Sequence, residues 1–429
     1  MNYAERDLKS VWHPYTQIKR NALPINIVKG DQTLLIDENG NKFIDAISSW
    51  WVNTHGHANP YIAQKVSEQL FELEHVIFAG FTHPNAIILA ERLLSHLPKN
   101  HDKVFYSDNG STAVEVAIKI ALQYWNNQGI KKTKIIAFKN AYHGDTFGSM
   151  SVSGRSVFTN AFESLLFDVE FIETPMKGKE NETIEALELA LKNEDVAAFI
   201  FEPLVQGAAG MIMYEPEILN KLISICKSKN VLTIADEVMT GFYRTGKFFA
   251  TDFIEEKPDL FCLSKGLTGG TMAFGVTTST NKIFEAFISD DKTKTLYHGH
   301  SYTANPVACA AALASMDLYE KPELLNNVNR IIKKHESFKT KIQNSELLKN
   351  VRQTGTILVF ELNTGESTNY LNDIRDRIYN FFIEKKIIIR PLGNIFYLIP
   401  PYCITNEELD YVYDSILEFL SFLENESSN

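Results

Sequence analysis

Between residues 104 and 280, short apolar runs alternate with longer stretches of helical periodicity, and that alternation leaves few folds open. VFYSD (104–108), KIIAF (134–138), AAFIF (197–201), VLTIAD (231–236), LFCLS (260–264) and GVTTST (275–280) have strand length and the right side chains. Near-continuous apolar strands separated by helices belong to a mostly parallel sheet covered on both faces, an α/β architecture. PEILNKLISICKSKN, opening on Pro216, is one such amphipathic helix. From about residue 306 the pattern changes to long charged helices such as 320–345. TILVFEL (356–362) and the strands IIIR and IFYLIP within 387–400 follow, which predicts a smaller α+β unit. Among the first 55 residues, GDQTLLIDENGNKFID resembles a hairpin, and the polar tail ENESSN is expected to fray.

A chain of 429 residues is long for a single core, and 45% hydrophobic with 22% charged residues is an ordinary globular composition. The net charge of −11 argues against general nucleic-acid binding. No run reaches the roughly 18 uncharged apolar residues of a membrane span, and the N-terminus lacks a signal-peptide core. Cys226, Cys262, Cys309 and Cys403 are far apart, with no metal-binding spacing, and read as reduced thiols of a cytoplasmic protein.

Three strand ends carry chemistry. Directly after 104–108, SDNGSTAVEVAIKIALQYW repeats Val114, Ala117, Ile118, Ala121, Leu122 and Trp125 at helical spacing, so a helix begins near Gly110. Its first turn, with Gly110, Ser111 and Thr112, suits a phosphate; an ordinary Ser/Asn-type cap is the plainer reading. VLTIADEV ends on Asp236 and Glu237, carboxylates that are costly at a buried strand end unless partnered. FCLSKGLTGG (261–270) places Lys265 at the end of an apolar strand among glycines, either snorkelling outward or used as an amine. Ligands of open α/β sheets sit outside the carboxyl ends of the strands, so all three features fall on one rim. Pyridoxal 5′-phosphate needs all of them: a phosphate site, a lysine for its aldehyde and a carboxylate facing its ring nitrogen. On that reading Lys265 bonds the cofactor and carries protons, Asp236 faces the ring, and the glycines give the lysine room to swing.

GFYRTGK (241–247) matches most of a phosphate-binding P-loop, but Phe248 stands where a magnesium-binding hydroxyl belongs and no strand of its own precedes it. A nucleotide triphosphatase is thereby set aside.

ADEVMTGFYRTGKFFA, PDLFCLSKGLTGG and HGHSYTANPVACAAALA together resemble the class III aminotransferases, a family of fold-type I pyridoxal-phosphate enzymes. WHPYTQ (12–17), DAISSWWVNTHGH (45–57), NAYHGDTFGSMSV (140–152) and IIIRPLGNIFYLIPPY (387–402) narrow the likeness to its biotin-pathway branch. The resemblance implies conversion of 8-amino-7-oxononanoate to 7,8-diaminononanoate, with S-adenosyl-L-methionine as amino donor and lysine as the alternative. It implies residues 1–55 as an N-terminal segment packing with the small domain, 56–315 as a large cofactor-binding domain and 316–429 as the small domain. Carried over by position, Lys265 and Asp236 keep the roles above, Gly110 and Ser111 hold the phosphate, and Tyr142 stacks on the ring. Ser301 reaches the phosphate of the neighbouring subunit in a homodimer. Tyr15, Trp50, Tyr142, Gly299, Arg390 and Tyr397 bind substrate, with Arg390 on its distant carboxylate, and Asp145 and Arg244 stand at the pocket. Of the two tryptophans, Trp50 is expected in the site and Trp51 in packing. The best-known adenosylmethionine users have Pro-Thr after this His-Gly, whereas this chain has His300-Ser301, a pair also found in lysine-using relatives.

Overall fold

A computed structural model of the chain describes residues 2–19, 23–365 and 374–427. An N-terminal meander is formed by β1 (Ile27–Asp31), β2 (Leu34–Asp37) and β3 (Lys42–Asp45). The central strands then follow as β4 (His101–Ser107), β5 (Lys134–Phe138), β6 (Val169–Ile172) and β7 (Val196–Phe201). A short ribbon, β8 (Val205–Gln206) with β9 (Ile212–Met213), precedes β10 (Leu232–Asp236), β11 (Leu260–Leu263) and β12 (Gly275–Thr280). The C-terminal part contributes β13 (Leu348–Thr354), β14 (Ile357–Leu362), β15 (Ile387–Ile388) and β16 (Ile395–Leu398).

The central sheet has the order β4-β12-β11-β10-β7-β5-β6. β6, β5, β7, β10 and β11 pair in parallel, and β12 runs antiparallel to both β11 and β4. β4 therefore points the same way as β10 and β11. The register places Gly275 opposite Ser107 and Val276 opposite Leu263, so these strand ends lie side by side. β7, β10 and β11 are buried along their whole length, as their unbroken apolar character requires. The helix Gly110–Asn127 crosses the sheet, and Thr277 Oγ1 donates to Ala113 O at 2.6 Å, tying the first turn of that helix to the rim.

The expected α/β sheet is present with its six strands within a few residues, and the edge strand β6 was not anticipated. VEFI is only four residues long and keeps Glu170 exposed, too weak a period to separate from a loop. The predicted helices form at Pro216–Ser228 and Pro322–Ile342. IIIR was expected in the C-terminal sheet; instead β15 pairs in parallel with β3, Ile387 opposite Ile44. β13, β14 and β16 make the small antiparallel sheet, with β13 unforeseen because LKNVRQT is mostly polar. The tail expected to fray is helical through Ser427, within the helix Asn406–Ser427; residues 428–429 lie outside the described residues. No helix among the described residues is long and apolar enough to cross a membrane. All four cysteines are free, three of them buried.

Glu237 shows what the second strand-end acid does. Its buried carboxylate accepts from Thr240 Oγ1, Thr251 Oγ1 and the backbone N–H groups of Ala250 and Thr251, at 2.7–3.1 Å. It thereby staples the loop 240–251, in which Phe242 and Tyr243 take left-handed backbone angles and pack with Phe248 and Tyr319. The near-match to a P-loop is thus an aromatic turn. Glu237→Ala orphans four donors at once and is expected to cost on the order of 3 kcal/mol, read from chemical denaturation.

Candidate active site

Lys265 follows β11 in a left-handed conformation, φ 48°, at the start of the turn Lys265–Thr268. Ser264 Oγ donates to Phe274 O at 2.6 Å and pins that turn to the next strand. The neighbouring glycines do not make room for the lysine. A Cβ on Gly269 would lie 2.7 Å from the His55 ring, and one on Gly270 would lie 2.9 Å from the backbone of Asn53. They let the segment 51–55 approach closely, and that segment carries Trp51, whose ring centroid is 4.7 Å from Lys265 Nζ. Burial holds the amine down to about 8, with Asp236 and Glu202 pulling the other way.

Asp236 is buried at the end of β10 and accepts from Val238 N at 3.1 Å. Its other oxygen lies 2.7 Å from Nδ1 of His143, whose side chain is fully buried. His143 belongs to a turn that reaches three neighbours through successive residues. Tyr142 N donates to Glu202 Oε1 at 3.0 Å, His143 N donates to Ser153 Oγ at 2.9 Å, and Gly144 packs directly on Ser111. A Cβ on Gly144 would meet Ser111 Oγ at 2.3 Å, and its φ of +129° is glycine territory. Burial pushes the Glu202 carboxyl up to about 7, against the opposing influence of His143 and the N–H groups of Tyr142 and Gly207.

The helix Gly110–Asn127 opens with Asn109 as cap; Asn109 Oδ1 accepts from Thr112 N at 2.9 Å. Thr112 Oγ1 bonds Asp108 and is spent on the cap, so the hydroxyl expected at a phosphate faces elsewhere. Gly110 and Ser111 line the cleft, and a Cβ on Gly110 would fall 2.7 Å from Val238. The cap therefore takes Asn109 and Thr112 and leaves Gly110 and Ser111 on the cleft, on different groups of one turn.

Gly110, Ser111, Tyr142, Asp145, Asp236, Lys265 and Trp51 share one cleft of about 660 Å³. It runs into a second of about 320 Å³, lined by Tyr15, Trp50, Phe158, Arg390 and Tyr397 together with Lys265. Asp45 supports from behind the turn that carries Trp51, which lines both. It accepts from Ser49 N at 2.6 Å and faces His57 Nε2 at 2.8 Å, holding a turn in which Ser48, Ser49 and Trp51 all have positive φ. Both tryptophans thereby reach the site: Trp50 stands 39% exposed beside Tyr15, and Trp51 donates from Nε1 to Tyr397 Oη at 2.9 Å. Trp51 is thus more than packing. Tyr15 Oη donates to Asp145 and lies 3.3 Å from Tyr142 Oη. Arg390 places its guanidinium carbon 4.5 Å from the Trp50 ring centroid and has no ion pair among the described residues.

Three expected site residues are not brought together with these. Arg244 is fully buried behind the cleft, donating to Pro400 O at 2.8 Å and Asn53 O at 3.2 Å. It clamps the segments that frame the site and lines neither cleft. Gly299 and Ser301 are exposed and line neither cleft of the single chain. His143, Glu202 and Phe158 were missed, being single residues without a period or motif; only the burial of Glu202 at the end of AAFIFEP was a signal.

The residues fit pyridoxal phosphate. Free N–H groups at a helix start, a glycine that admits close approach, a buried carboxylate and a buried amine of lowered proton affinity line one cleft. The chain belongs to the class III aminotransferases: the family model Aminotransferase class-III matches residues 15–420. Within that class, it is 46% identical to the adenosylmethionine-8-amino-7-oxononanoate aminotransferase of Synechococcus elongatus, over 96% of this chain and 98% of that one. The protein of the same name from Geobacter sulfurreducens is 38% identical over 96% and 95% of the two chains. The crystal structure of the Methanocaldococcus jannaschii protein of that name superimposes with a TM-score of 0.93 at 38% identity, covering 97% of this chain and 98% of that one. An amine transaminase from an uncultivated Pseudomonas species, solved in its PLP-bound form, gives 0.89 at 29% identity, covering 95% and 97%.

An amine held near 8 is largely uncharged at a pH where ordinary lysines stay protonated. Labelling of the cofactor-free chain by an amine-reactive reagent, followed by peptide mass spectrometry, is expected to rise at Lys265 through about pH 8. Surface lysines should follow only above roughly pH 10.

Proposed function

We propose that the chain is a pyridoxal-phosphate aminotransferase that converts 8-amino-7-oxononanoate to 7,8-diaminononanoate in biotin biosynthesis, with S-adenosyl-L-methionine as amino donor. The observation that carries this reading is Arg390: a cation with no ion-pair partner among the described residues, in an aromatic cleft that also contains Lys265. A linear keto acid with a terminal carboxylate suits that arrangement, since a guanidinium takes a carboxylate in two parallel hydrogen bonds. The names of the relatives point the same way.

Bound pyridoxal phosphate supplies the electrophilic carbon and an electron-withdrawing ring. Everything else falls to the chain. Gly110 and Ser111 would hold the phosphate at the helix start, Asp236 would face the ring nitrogen, and Tyr142 would cover the ring. Lys265, lowered to about 8 by burial, would be the amine that holds the cofactor's aldehyde carbon and the group that carries a proton at the substrate carbon. Tyr15, Trp50 and Tyr397 line the aliphatic chain, Trp51 keeps the amine desolvated, and Asp145 with Tyr15 and Tyr142 offers polar contacts near the reacting end. Arg244 acts from behind by fixing the backbone at Asn53 and Pro400.

The working form is a cytoplasmic homodimer in which Gly299 and Ser301 of one protomer complete the phosphate and substrate sites of its partner; their exposure in the single chain supports this. Residues 1–55 then form the N-terminal segment, 56–315 the cofactor-binding domain and 316–429 the small domain, with the β3–β15 pairing joining the first to the last. Lysine as donor is the second reading, favoured by His300-Ser301 in place of Pro-Thr.

The direct test supplies purified protein with 8-amino-7-oxononanoate and either adenosylmethionine or lysine. Diamine formation with adenosylmethionine supports the proposal, and formation with lysine alone transfers it to the second donor. Turnover of a simple ω-amine with neither would replace it with an ω-amino-acid transaminase. Arg390→Ala should raise KM for the keto acid about 10-fold or more, and leave an amine lacking a carboxylate nearly unaffected. Equal effects on both substrates would remove Arg390 from this role.

A further inference from the structure

The peptide after Lys265 is held from outside its own turn. Gly266 O already accepts from Gly269 N at 2.9 Å, the bond that closes the turn. Two buried hydroxyls converge on the same oxygen: Tyr319 Oη donates to it at 2.6 Å and Ser315 Oγ at 3.2 Å. Both belong to the helix Pro306–Tyr319, where their spacing of four places them one turn apart on a single face. Each hydroxyl has one proton and gives it to the carbonyl, so each must accept from its other neighbour. Thr54 Oγ1 therefore donates to Tyr319 Oη at 2.6 Å, and His55 Nε2 donates to Ser315 Oγ at 3.0 Å. Burial, with Arg244 nearby, holds the His55 ring down to about 3, so it stays neutral and has that one proton to give. Thr54 and His55 belong to the segment 51–55, whose Trp51 ring centroid lies 4.7 Å from Lys265 Nζ.

We propose that Tyr319 is a positioning residue, whose hydroxyl ties the turn bearing Lys265 to the segment bearing Trp51 and so fixes where the amine stands against the indole. The consequence for turnover rests on the aminotransferase reading; the position of the amine does not. Lys265 is a non-glycine residue at φ 48°, a conformation that persists only where its surroundings over-determine it. Gly266 O has its bond from Gly269 N, so the hydroxyls are not needed to satisfy it. What they add is a link between two segments distant in the chain. The aromatic ring of Tyr319 supplies packing separately. It stacks on Phe242 with centroids 5.4 Å apart and planes at 20°, and its centroid lies 4.4 Å from that of His55. Ring and hydroxyl thus have different tasks, and removing the hydroxyl alone separates them.

The test removes the hydroxyl in Tyr319→Phe, the other end of its chain in Thr54→Val, and both together. On the cofactor-free full chain, amine-reactive labelling of Lys265 is followed against pH by peptide mass spectrometry. On the holoenzyme, kcat and KM for 8-amino-7-oxononanoate are measured at steady state, and the melting temperature of every variant is recorded. An amine held less closely takes up water and regains proton affinity. The Y319F labelling midpoint should therefore move upward from about pH 8, by about half a pH unit or more. A displaced proton carrier meets the reacting carbon less often, so kcat should fall about 3- to 10-fold. KM for the keto acid should stay within about twofold, because the Arg390 end is untouched. Thr54 acts through Tyr319, so T54V/Y319F should be no worse than Y319F alone. An unshifted Y319F labelling profile overturns the proposal whatever kcat does. Effects of the two substitutions that simply add, with a matching fall in melting temperature, make Tyr319 a packing residue and overturn it too. Wild-type holoenzyme that does not turn over the keto acid sinks the functional reading alone, and the labelling profile still decides where the amine is held.

Discussion

One reversed strand organises the molecule. Because β12 runs against both β11 and β4, the chain can insert it between them and still leave β4, β10 and β11 pointing the same way. Their C-terminal ends open on a single rim, where Gly110, Asp236 and Lys265 come within reach of one small molecule. Had β12 been parallel to its neighbours, its own end would have crowded that rim. Reversed, it contributes the start of a strand, and Gly275 packs beneath Asn109, where a Cβ would fall 2.2 Å from the carbonyl oxygen.

Around the rim, buried carboxylates hold strained backbone in place. Asp45 fixes the turn at Ser48–Trp51 and Glu237 fixes the loop at Phe242 and Tyr243, both with left-handed residues that lack glycine's freedom. Such turns persist only where hydrogen bonds over-determine them. Each buys a side-chain position: the first delivers two tryptophans to the cleft, and the second seats the guanidinium of Arg244 against the backbone of Asn53 and Pro400.

The electrostatics of the cleft follow from burial. Removal from water lifts the Glu202 acid to about 7 and lowers the Lys265 amine to about 8, so both sit near neutrality. Asp236 and Glu202 favour the charged lysine, while desolvation opposes the charge on both Lys265 and Glu202. Asp236 is oriented at the same rim by Val238 N and His143 Nδ1. The result is a cleft in which one acid is fixed in direction and one amine is free to gain or lose a proton.

Much of this was legible in the residues. Apolar period, strand length and the glycine-bearing helix start are local properties, so the α/β class, six central strands, the helix at Gly110 and the meeting of Lys265 and Asp236 on one rim could be read directly. Sequence similarity added Tyr15, Trp50, Tyr142, Arg390 and Tyr397, which local rules could not single out. What the residues could not convey depends on pairs distant in the chain. That Ile387 would join β3 rather than its sequence neighbours, that Arg244 would turn inward to two carbonyls, that the glycines after Lys265 would admit Trp51 to Asn53, and that His143 would meet Asp236 are contacts across dozens to hundreds of residues. A hydrogen bond or a close approach of this kind leaves no trace in the spacing of either partner. The sequence by itself determined which groups could do chemistry; only the tertiary structure decided which of them share a cleft, because that choice is made by strand direction and by packing between segments that never meet along the chain.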